Sequence, residues 1–405
     1  MTTILIVCNT PDERAEMALK EAKALGYRCI FCGDKADKNI FDLADECYEI
    51  DWNNWKSLLH LAKIENADGI VGLCDKAMIP VSKTCQALKL PCNSPESIEM
   101  FLSKNKFREV QERARVFHPK FVEVEELNCI EKKCSSMRFP IIVKPAQCSS
   151  SFGQTVVYNM DELKNSFLTA AKNSRNHKVC IEEYIVSDSL RCIELDIFVM
   201  YENILWDGIR ESYRVAAAPL RPIYDVYPAV LTDEEFSELK NTVSAIIKEV
   251  GAILGEYNIE GFFTNEGKFF VIEINPRQSG YYNPQHIENF CGVNLTKLLI
   301  TTAIGDNSYF EELKNFQRFR KNILAYSVFS EKSGTLDHVH IDSKLQQHLL
   351  EERFPLGNKN GCFVQDILTA TRPISIVVFE FDSREELEKT RLHIDKLIYA
   401  VLSEE

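Results

Sequence analysis

The segment GKFFVIEINPRQSG, residues 267–280, constrains the fold of this chain more than any other part of its sequence. It is typical of a β-strand, in which side chains two residues apart share one face, so Glu273 and Asn275 project together. Their oxygens suit Mg²⁺, and Glu260, across the predicted hairpin turn, is placed to add a third. Arg277 follows at the strand rim, suited to a bidentate contact with phosphate or carboxylate. A hairpin with solvent-facing polar residues is the alternative.

A second segment, FPIIVKPAQCSSSFGQTVV at residues 139–157, joins a buried strand to a loop of small residues. Lys144 lies at the edge of the apolar strand, next to that loop. Small residues let backbone N–H groups and hydroxyls approach a phosphate. The candidate phosphate-binding residues of the loop are Ser149, Ser150, Ser151 and Gly153. Taken alone, a serine-rich hairpin loop without a ligand explains this segment equally well.

A third segment, KVCIEEYIVSDS at residues 178–189, brackets two carboxylates, Glu182 and Glu183, with apolar strand residues. An adenine needs a flat apolar slot with backbone hydrogen bonds, and a ribose needs a carboxylate. The segment offers both at the end of a strand. A solvent-facing acidic pair is the alternative explanation.

The order of strands and helices divides the chain. Over the first 100 residues, apolar strands alternate with amphipathic helices, which indicates a βαβ domain with a parallel sheet. No Gly-x-Gly-x-x-Gly follows the first strand, so a dinucleotide site there is unsupported. From about residue 95 a long helical pattern precedes strands and hairpins of antiparallel type, and the last 80 residues give three strands and a closing helix.

The overall charge excludes some classes of function. With 60 acidic against 47 basic side chains, the net charge is −13, which argues against a nucleic-acid-binding face. No apolar stretch approaches a membrane span and the N-terminus lacks the features of a signal peptide, so we expect a cytoplasmic protein without a membrane partner. In such a compartment the 14 cysteines stay thiols. The pair Cys29 and Cys32 sits in a strand-like run and is interpreted as buried packing rather than zinc or redox chemistry.

In this order and at these separations, the three segments resemble the ATP-grasp superfamily of carboxylate–amine ligases. The resemblance makes Lys106, in SKNKFREV, the first nucleotide-binding lysine and Lys144 the second. IEEYI resembles the strand that holds adenine and ribose. The residues it implies there are Glu182, Glu183, Tyr184, Ile185 and, for the ribose, Asp188.

The resemblance also implies the cofactors and the domain plan. ATP and two Mg²⁺ (or Mn²⁺) ions are expected, with Glu260, Glu273 and Asn275 as metal ligands and Arg277 as a catalytic residue holding the carboxylate or acyl phosphate. The expected fold is α/β and α+β: an N-terminal Rossmann-like domain at 1–100, an ATP-grasp module at 101–310 with a lid at about 120–190, and an α+β tail at 311–405.

Substrate identity is where the sequence leaves alternatives open. Arg210 and Arg214 are candidates for binding a second phosphate or a substrate carboxylate, and structural arginines are the alternative. The stretch after the metal hairpin lines the acceptor site in the family, and its candidate residues are Ser279, Gly280, Tyr281 and His286. The pattern looks closest to L-amino-acid ligases, which join amino acids. Related enzymes of purine synthesis or carboxylation and a non-catalytic ATP-binding regulator are the alternatives, and a homodimer is possible.

Overall fold

The computed structural model describes residues 1–34, 42–147, 153–185, 191–215, 221–355, 359–370 and 372–403. Within these ranges the strands form four sheets, of four, eight, three and four strands. None of the helices in the same ranges combines the length and the apolar character that crossing a membrane requires. The predicted mixture of α/β and α+β architecture is confirmed.

The N-terminal domain is a parallel βαβ unit, as predicted. Its four strands are ordered β3-β2-β1-β4, so the chain reverses direction across the sheet between β1 and β4. The strands are β1 (Thr3–Val7), β2 (Arg28–Gly33), β3 (Glu46–Glu49) and β4 (Gly69–Gly72), and the helices are α1 (Glu13–Ala24), α2 (Trp55–Ile64) and α3 (Asp75–Leu88).

Local chemistry accounts for the first helix and for the thiols of this domain. The side chain of Asp12 accepts hydrogen bonds from the N–H groups of Arg14 and Ala15 and so caps α1. Cys29 and Cys32 are fully buried in β2. Burial raises the pKa of both thiols, that of Cys29 to about 11, which fits packing and gives no thiolate near neutral pH.

The long helical pattern expected at residues 94–114 is two helices, α4 (Pro95–Leu102) and α5 (Lys104–Arg113). The break falls at Ser103, whose backbone is extended with φ −103° and ψ 115°. The N–H of Lys104 then donates to the carbonyl of Ala146 at 3.0 Å. This bond anchors the start of α5 to the segment that follows the strand carrying Lys144.

A small antiparallel sheet with order β5-β8-β6-β7 follows. Its helices pack their apolar residues onto one face of the sheet. The elements are β5 (Phe121–Val124), a 3₁₀ turn (Leu127–Cys129), α6 (Ile130–Cys134), β6 (Ile141–Pro145), β7 (Thr155–Val157), α7 (Met160–Asn173) and β8 (Val179–Glu183).

The largest sheet has the order β13-β12-β9-β10-β11-β14-β18-β16 and is antiparallel throughout. Its strands are β9 (Arg191–Met200), β10 (Asn203–Tyr213), β11 (Tyr224–Tyr227), β12 (Leu254–Phe263), β13 (Phe269–Asn275), β14 (Asn322–Val328), β16 (Leu349–Arg353) and β18 (Ser375–Phe381). The helices between these strands are α8 (Asp233–Val250), α9 (Asn283–Cys291), α10 (Leu295–Ala303) and α11 (Ser308–Asn315).

Side chains that alternate along β9 show which residues lie on each face of this sheet. Ile193, Leu195 and Ile197 pack in the core formed with α8. Because side chains alternate along a strand, the residues between them, Glu194 and Asp196, project from the opposite face. That face is therefore polar around these two buried carboxylates, whereas Phe198 and Met200, farther along the same face, pack in the core formed with α9.

The C-terminal residues partly depart from the prediction. The expected closing helix is two short helices, α12 (Arg384–Arg391) and α13 (Ile394–Leu397), followed by strand β19 (Ile398–Leu402). The reason is a tertiary partner: β19 pairs with β15 (Gly334–Ile341), which also pairs with the two-residue strand β17 (Phe363–Val364). Tertiary pairing has overridden a helical pattern rich in Glu, Lys and Leu.

Candidate active site

A row of charged side chains crosses four strands on the polar face of the large sheet. Glu273 of β13 lies opposite Glu260 of β12. Glu260 in turn lies opposite Glu194 of β9, which lies opposite Arg210 of β10. Directly opposed residues of an antiparallel pair are close neighbours on one face. The hairpin predicted from the sequence is therefore formed, and it continues into β9 and β10.

A second polar row runs beside the first, two residues along each strand. Asn275 lies opposite Asn258, which lies opposite Asp196. The amide of Asn275 donates to Asn258 at 3.3 Å and to Oε1 of Glu273 at 3.2 Å, and Asn258 donates to Asp196 at 3.2 Å. Hydrogen bonds thus connect the two rows at the position where the sequence predicted metal ligands.

Glu260 and Glu273 each have only one, more distant cation nearby, Arg214 at 3.6 Å and Lys104 at 3.8 Å, so their charge is only partly compensated, which fits a divalent cation. Burial and the nearby carboxylates of Glu194 and Glu273 raise the pKa of Glu260 to about 8. Its side chain is nevertheless 31% exposed, so part of this carboxylate reaches solvent. The described ranges hold no cluster of three His, Cys, Asp or Glu side chains arranged for a metal, and the predicted set is two carboxylates and an amide. Hard oxygen atoms of this kind suit Mg²⁺, which completes its coordination with substrate oxygens.

Arg210 lies inside the carboxylate network rather than at a substrate surface. Only 1% of its side chain is exposed, and it pairs with Glu194 at 2.7 Å, with Asp196, and with Asp225 at 3.5 Å. Its predicted role in binding a substrate phosphate or carboxylate is not supported, because protein carboxylates already neutralise its charge. Arg214 fits the site better, since its guanidinium contacts Glu194 at 2.9 Å and Glu260 at 3.6 Å.

Of the two lysines near the start of α5, the structure brings Lys104 to the predicted site and leaves Lys106 outside it. Lys106 is 47% exposed and pairs with Glu99 on the surface. Lys104 is 15% exposed, and its Nζ lies 3.8 Å from Oε2 of Glu273. The cause is the break at Ser103: α5 begins two residues earlier than the sequence suggested, so the lysine at its first position is Lys104.

The second lysine, Lys144, lies where the sequence placed it, at the end of β6. It is 7% exposed in the side chain, and its Nζ contacts Oε2 of Glu182 at 2.7 Å. Arg108 of α5 contacts the same carboxylate at 3.0 Å and also donates to the carbonyls of Val271 and Ile272 in β13. Burial disfavours the charge of Glu182, but Arg108 and Lys144 together lower its pKa to about 2. Arg108 thereby joins the small sheet to the large one.

These contacts change the interpretation of the adenine segment. Glu182 balances Lys144 and Arg108, and Glu183 accepts hydrogen bonds from the backbone and guanidinium of Arg138. The sequence suggested that one of these carboxylates binds the adenine amino group. Because both are already paired with protein cations, neither is placed to do so. Tyr184 is 40% exposed, with its N–H bonded to the carbonyl of Pro140, and Ile185 is half-buried. Asp188, the ribose candidate, lies outside the described residues.

Arg277 lies between the large sheet and the N-terminal domain. Its Nε donates to Asp75, the first residue of α3, at 2.8 Å, and its Nη1 donates to the carbonyl of Gln278 at 3.2 Å. Burial opposes the charge of Asp75, but Arg277, Arg14 and Lys104 lower its pKa. Three cations therefore converge where β1 and β4 end. The strand order reverses at this point, and ligands usually bind at such a reversal in an open α/β sheet.

The predicted acceptor stretch follows Arg277 and contacts α1. The N–H of Tyr281 donates to Glu13 at 3.1 Å, and a Cβ at Gly280 would approach the same carboxylate to 3.0 Å. Ser279 is 2% exposed and His286 fully buried. Neither ring nitrogen of His286 has a hydrogen-bond partner among the residues described, and burial and Arg353 lower its pKa to about 3. His286 is thus a neutral residue within α9.

Part of the predicted phosphate loop is described. Gly153 has φ +72°, a conformation that favours glycine, and a Cβ there would lie 2.9 Å from Asn173. Ser149, Ser150 and Ser151 lie outside the described residues.

Four site residues escaped the sequence interpretation although the sequence carries a signal for each. Glu194 and Asp196 alternate within the apolar run CIELDIF, which predicts two carboxylates on one face of a buried strand. Arg108 lies one helical turn after Lys104, on the same face of α5. Asp75 comes directly after the β4 segment, where a parallel sheet presents its functional edge.

The fold and the site define an ATP-grasp protein: an α/β domain, a small antiparallel sheet and a large antiparallel sheet that carries rows of charged side chains on one face. A family model described as the ATP-binding domain of the carbamoyl-phosphate synthase L chain matches residues 103–307. The chain belongs to this family of ATP-grasp proteins.

Individual relatives agree at the level of fold. An uncharacterised Sinorhizobium fredii protein is 27% identical over 319 residues, 75% of this chain and 63% of its own length. The Campylobacter jejuni carbamoyl phosphate synthase large chain is 27% identical over 75% of this chain, which spans only 28% of that relative. The solved L-amino acid ligase of Bacillus licheniformis superposes with a TM-score of 0.83 at 18% identity, covering 100% of this chain and 99% of its own. Phosphoribosylglycinamide synthetase from Anaerococcus prevotii gives 0.76 at 19% identity, covering 99% and 100%.

Proposed function

We propose that this protein is an ATP-dependent carboxylate–amine ligase that forms an amide through an acyl-phosphate intermediate, converting ATP to ADP and phosphate. The observation that carries the proposal is the row of Glu273, Glu260 and Glu194 beside Lys104 and Arg277. It combines an under-compensated carboxylate pair with cations from two distant segments of the chain. That combination suits the neutralisation and positioning that phosphoryl transfer requires.

Each protein group has a proposed task in this reaction. Lys104 and Lys144 contact phosphate oxygens of ATP, and Arg277 orients the substrate carboxylate so that one of its oxygens attacks the terminal phosphorus. ADP leaves, and an amine then attacks the acyl carbon, releases phosphate and forms the amide. Arg214, between Glu194 and Glu260, stabilises charge on the transferred phosphoryl group.

Glu260, Glu273 and Asn275 are the residues that would hold Mg²⁺ or Mn²⁺, and two ions are proposed. When bound, these ions neutralise phosphate charge and help to orient the transferred group. The fit rests on Glu260, whose partly exposed carboxylate lies among other carboxylates. The phosphate loop is proposed to close as a lid that excludes water from the acyl phosphate.

Amino acids are the proposed substrates, and this finer assignment rests on two supports. The first is the end-to-end superposition on a protein described as an L-amino acid ligase. The second is the acceptor stretch, in which the N–H of Tyr281 donates to Glu13 and both Ser279 and His286 are buried. The division at residues 100 and 310, the cytoplasmic location and a homodimer are proposed on the same family basis.

A second candidate is an ATP-grasp enzyme acting on another small acid, as the similarity to phosphoribosylglycinamide synthetase suggests. The test of the main proposal is ADP formation from ATP and Mg²⁺ with a pooled panel of L-amino acids, with products identified by mass spectrometry. Amino-acid-dependent ADP and a dipeptide are expected. AMP and pyrophosphate would contradict the acyl-phosphate route, and ATP binding without turnover would favour a regulator.

The metal assignment has its own variant. Glu273→Gln keeps the shape of the side chain but removes a charge, and we expect ATP turnover to fall at least a hundredfold with little change in melting temperature. Glu266→Gln, in the exposed hairpin turn of the same two strands, is the matched control and should retain full turnover. Unchanged turnover in Glu273→Gln would refute the assignment.

A further inference from the structure

Helix α1 of the N-terminal domain bonds to the acceptor stretch at two consecutive residues of that stretch. The N–H of Tyr281 donates to Oε1 of Glu13 at 3.1 Å, and the hydroxyl of Tyr282 donates to Oε2 of Glu16 at 3.0 Å. Met17, which follows Glu16, packs in the same core as Tyr282. The first turns of α1 therefore contact both the backbone and a side chain of the acceptor stretch.

The two tyrosines have an unusual backbone conformation. Tyr281 has φ +58° and Tyr282 has φ +57°, in the left-handed region that a residue with a Cβ adopts only at a cost. In the part of the chain that the structure describes, they are the only adjacent pair of non-glycine residues that both have positive φ. Conformations of this kind persist only where the surrounding structure holds them, and they are concentrated at functional sites.

Contacts from three parts of the chain hold this conformation. Within the stretch itself, the N–H of Asn283 donates to the carbonyl of Gly280 at 3.1 Å and closes a turn around the two tyrosines. The guanidinium of Arg353, on β16, lies 4.8 Å from the ring centre of Tyr282. The third set comes from α1, in which Glu13 accepts its hydrogen bond from the backbone of the first tyrosine.

The position of this turn next to Arg277 gives α1 a role in the proposed reaction. Only residues 278–280 separate Arg277 from Tyr281, and Gln278 and Ser279 are buried. Because this connection is short and buried, the turn has a fixed place beside the arginine that is proposed to orient the substrate carboxylate.

The second step of the proposed reaction depends on where the amine is held. A neutral amine attacks the acyl carbon, the C–N bond forms, the C–O bond to phosphate breaks, and the leaving phosphate takes up the amine proton. An amine that is not held against the acyl carbon loses this competition to water, which hydrolyses the acyl phosphate. Misplacement of the amine subsite therefore separates ADP release from amide formation.

We propose that Glu13 and Glu16 are positioning residues: α1 clamps the turn at Tyr281 and Tyr282, so that the N-terminal domain completes the amine subsite. The inference rests on the proposed ligase function and adds the element that shapes the amine side of the site. Glu13 acts through the backbone of Tyr281 and not by touching the amine. Loss of the clamp should impair transfer to the amine and spare formation of the acyl phosphate.

The test measures how many amide bonds form per ADP released, with ATP, Mg²⁺ and a pool of the twenty L-amino acids as the probe. Wild type should form about one amide per ADP. Glu13→Ala should lower this ratio about fivefold or more, because water then takes the acyl phosphate, while ADP release stays within about threefold of wild type. Glu13→Gln keeps an acceptor oxygen for the N–H of Tyr281 and should restore the ratio to within about twofold.

Glu21→Ala is the matched control on the same helix. Glu21 lies two turns after Glu13 and accepts a hydrogen bond from Asn294 at 3.1 Å, outside the turn. The variant removes a contact of the same kind between α1 and the segment that follows α9. If α1 acted only by stabilising the fold, Glu13→Ala and Glu21→Ala would lower the ratio of amide to ADP equally.

Hydrogen exchange of residues 279–286 tests the clamp without turnover. Exchange there should be about tenfold faster in Glu13→Ala than in wild type and unchanged in Glu21→Ala. Unchanged exchange in Glu13→Ala would overturn the positioning role, and so would a ratio of amide to ADP that stays at the wild-type value or falls equally in Glu21→Ala. Faster exchange in Glu13→Ala, together with no ADP release by wild type on the pool, would refute the amino-acid ligase and keep the clamp.

Discussion

Replacing Glu182 by glutamine tests whether the buried ion network behind the nucleotide lysine holds the two sheets together. The substitution keeps the shape of the side chain but leaves Arg108 and Lys144 as buried cations without their shared counter-charge. Removing one partner of a buried pair costs about 3 to 5 kcal/mol, because the remaining charge stays desolvated. We therefore expect the variant to be less stable and to bind ATP more weakly.

The pKa of Glu182 gives an independent magnitude. It falls from 4.5, its ordinary value, to about 2 in the folded protein. At about 1.4 kcal/mol per pH unit, this difference corresponds to about 3 kcal/mol of stability. Because the folded-state pKa is the lower one, this stability is fully present above pH 4.5 and is lost as the pH falls toward 2. The stability loss expected from the pKa of Glu182 is thus similar in size to the loss expected from breaking a buried ion pair.

The assay is urea unfolding of wild type and Glu182→Gln from pH 7 down to pH 3.5. The stability difference should be constant near neutral pH and should shrink below pH 4.5. The neighbouring Glu183→Gln is the matched control. Glu183 pairs with Arg138, whose side chain is 89% exposed, so that variant should lose less than about 1 kcal/mol. Equal losses in the two variants, or a difference independent of pH down to 3.5, would refute the reasoning.

Two further substitutions separate neighbouring roles in the site. Lys104→Ala should lower kcat/KM for ATP about a hundredfold, because a cation beside Glu273 is lost. Lys106→Ala should change kcat/KM less than twofold. The reverse ranking of the two variants would restore Lys106 as the nucleotide lysine. Asp75→Asn should raise KM for the carboxylate substrate about tenfold with a smaller effect on KM for ATP, because it loosens Arg277. Partial rescue by Asp75→Glu would identify a positioning role, and an equal rise in both KM values would contradict it.

The parts of the site that follow from strand periodicity were predictable from the sequence. Glu260, Glu273 and Asn275 share a face because they occupy alternate positions on two strands of one hairpin, and the structure has that register. Lys144 was placed correctly for the same reason, at the end of a strand whose apolar run is unambiguous. In both cases the local pattern alone determines which way the side chain points.

The predictions that failed depended on tertiary contacts. Lys106 was chosen because it follows Asn105 in SKNKFREV, as the resemblance implies for a lysine that opens a helix, but the helix begins at Lys104, after the break at Ser103, where the N–H of Lys104 bonds to Ala146. Glu182 was interpreted as an adenine ligand because its ion partners come from distant segments: Arg108 lies 74 residues and Lys144 38 residues away. The expected C-terminal helix became β19 because β15 offers it a partner. No local pattern reports contacts of this kind.

The arrangement of charges explains why a site with so many carboxylates is compatible with a stable fold. Arg210 pairs with the inner carboxylates, Glu194 and Asp196, and Arg214 also pairs with Glu194. Both carboxylates are buried, whereas Glu260 and Glu273 at the outer end of the row are about one third exposed. Buried charges without partners are costly, and exposed ones retain part of their hydration. The unneutralised charge is therefore concentrated where solvent, cations and phosphate can reach it. An acidic chain can in this way bind an anionic nucleotide, because cations bound to the outer carboxylates, together with Lys104, Lys144 and Arg277, reverse the local charge.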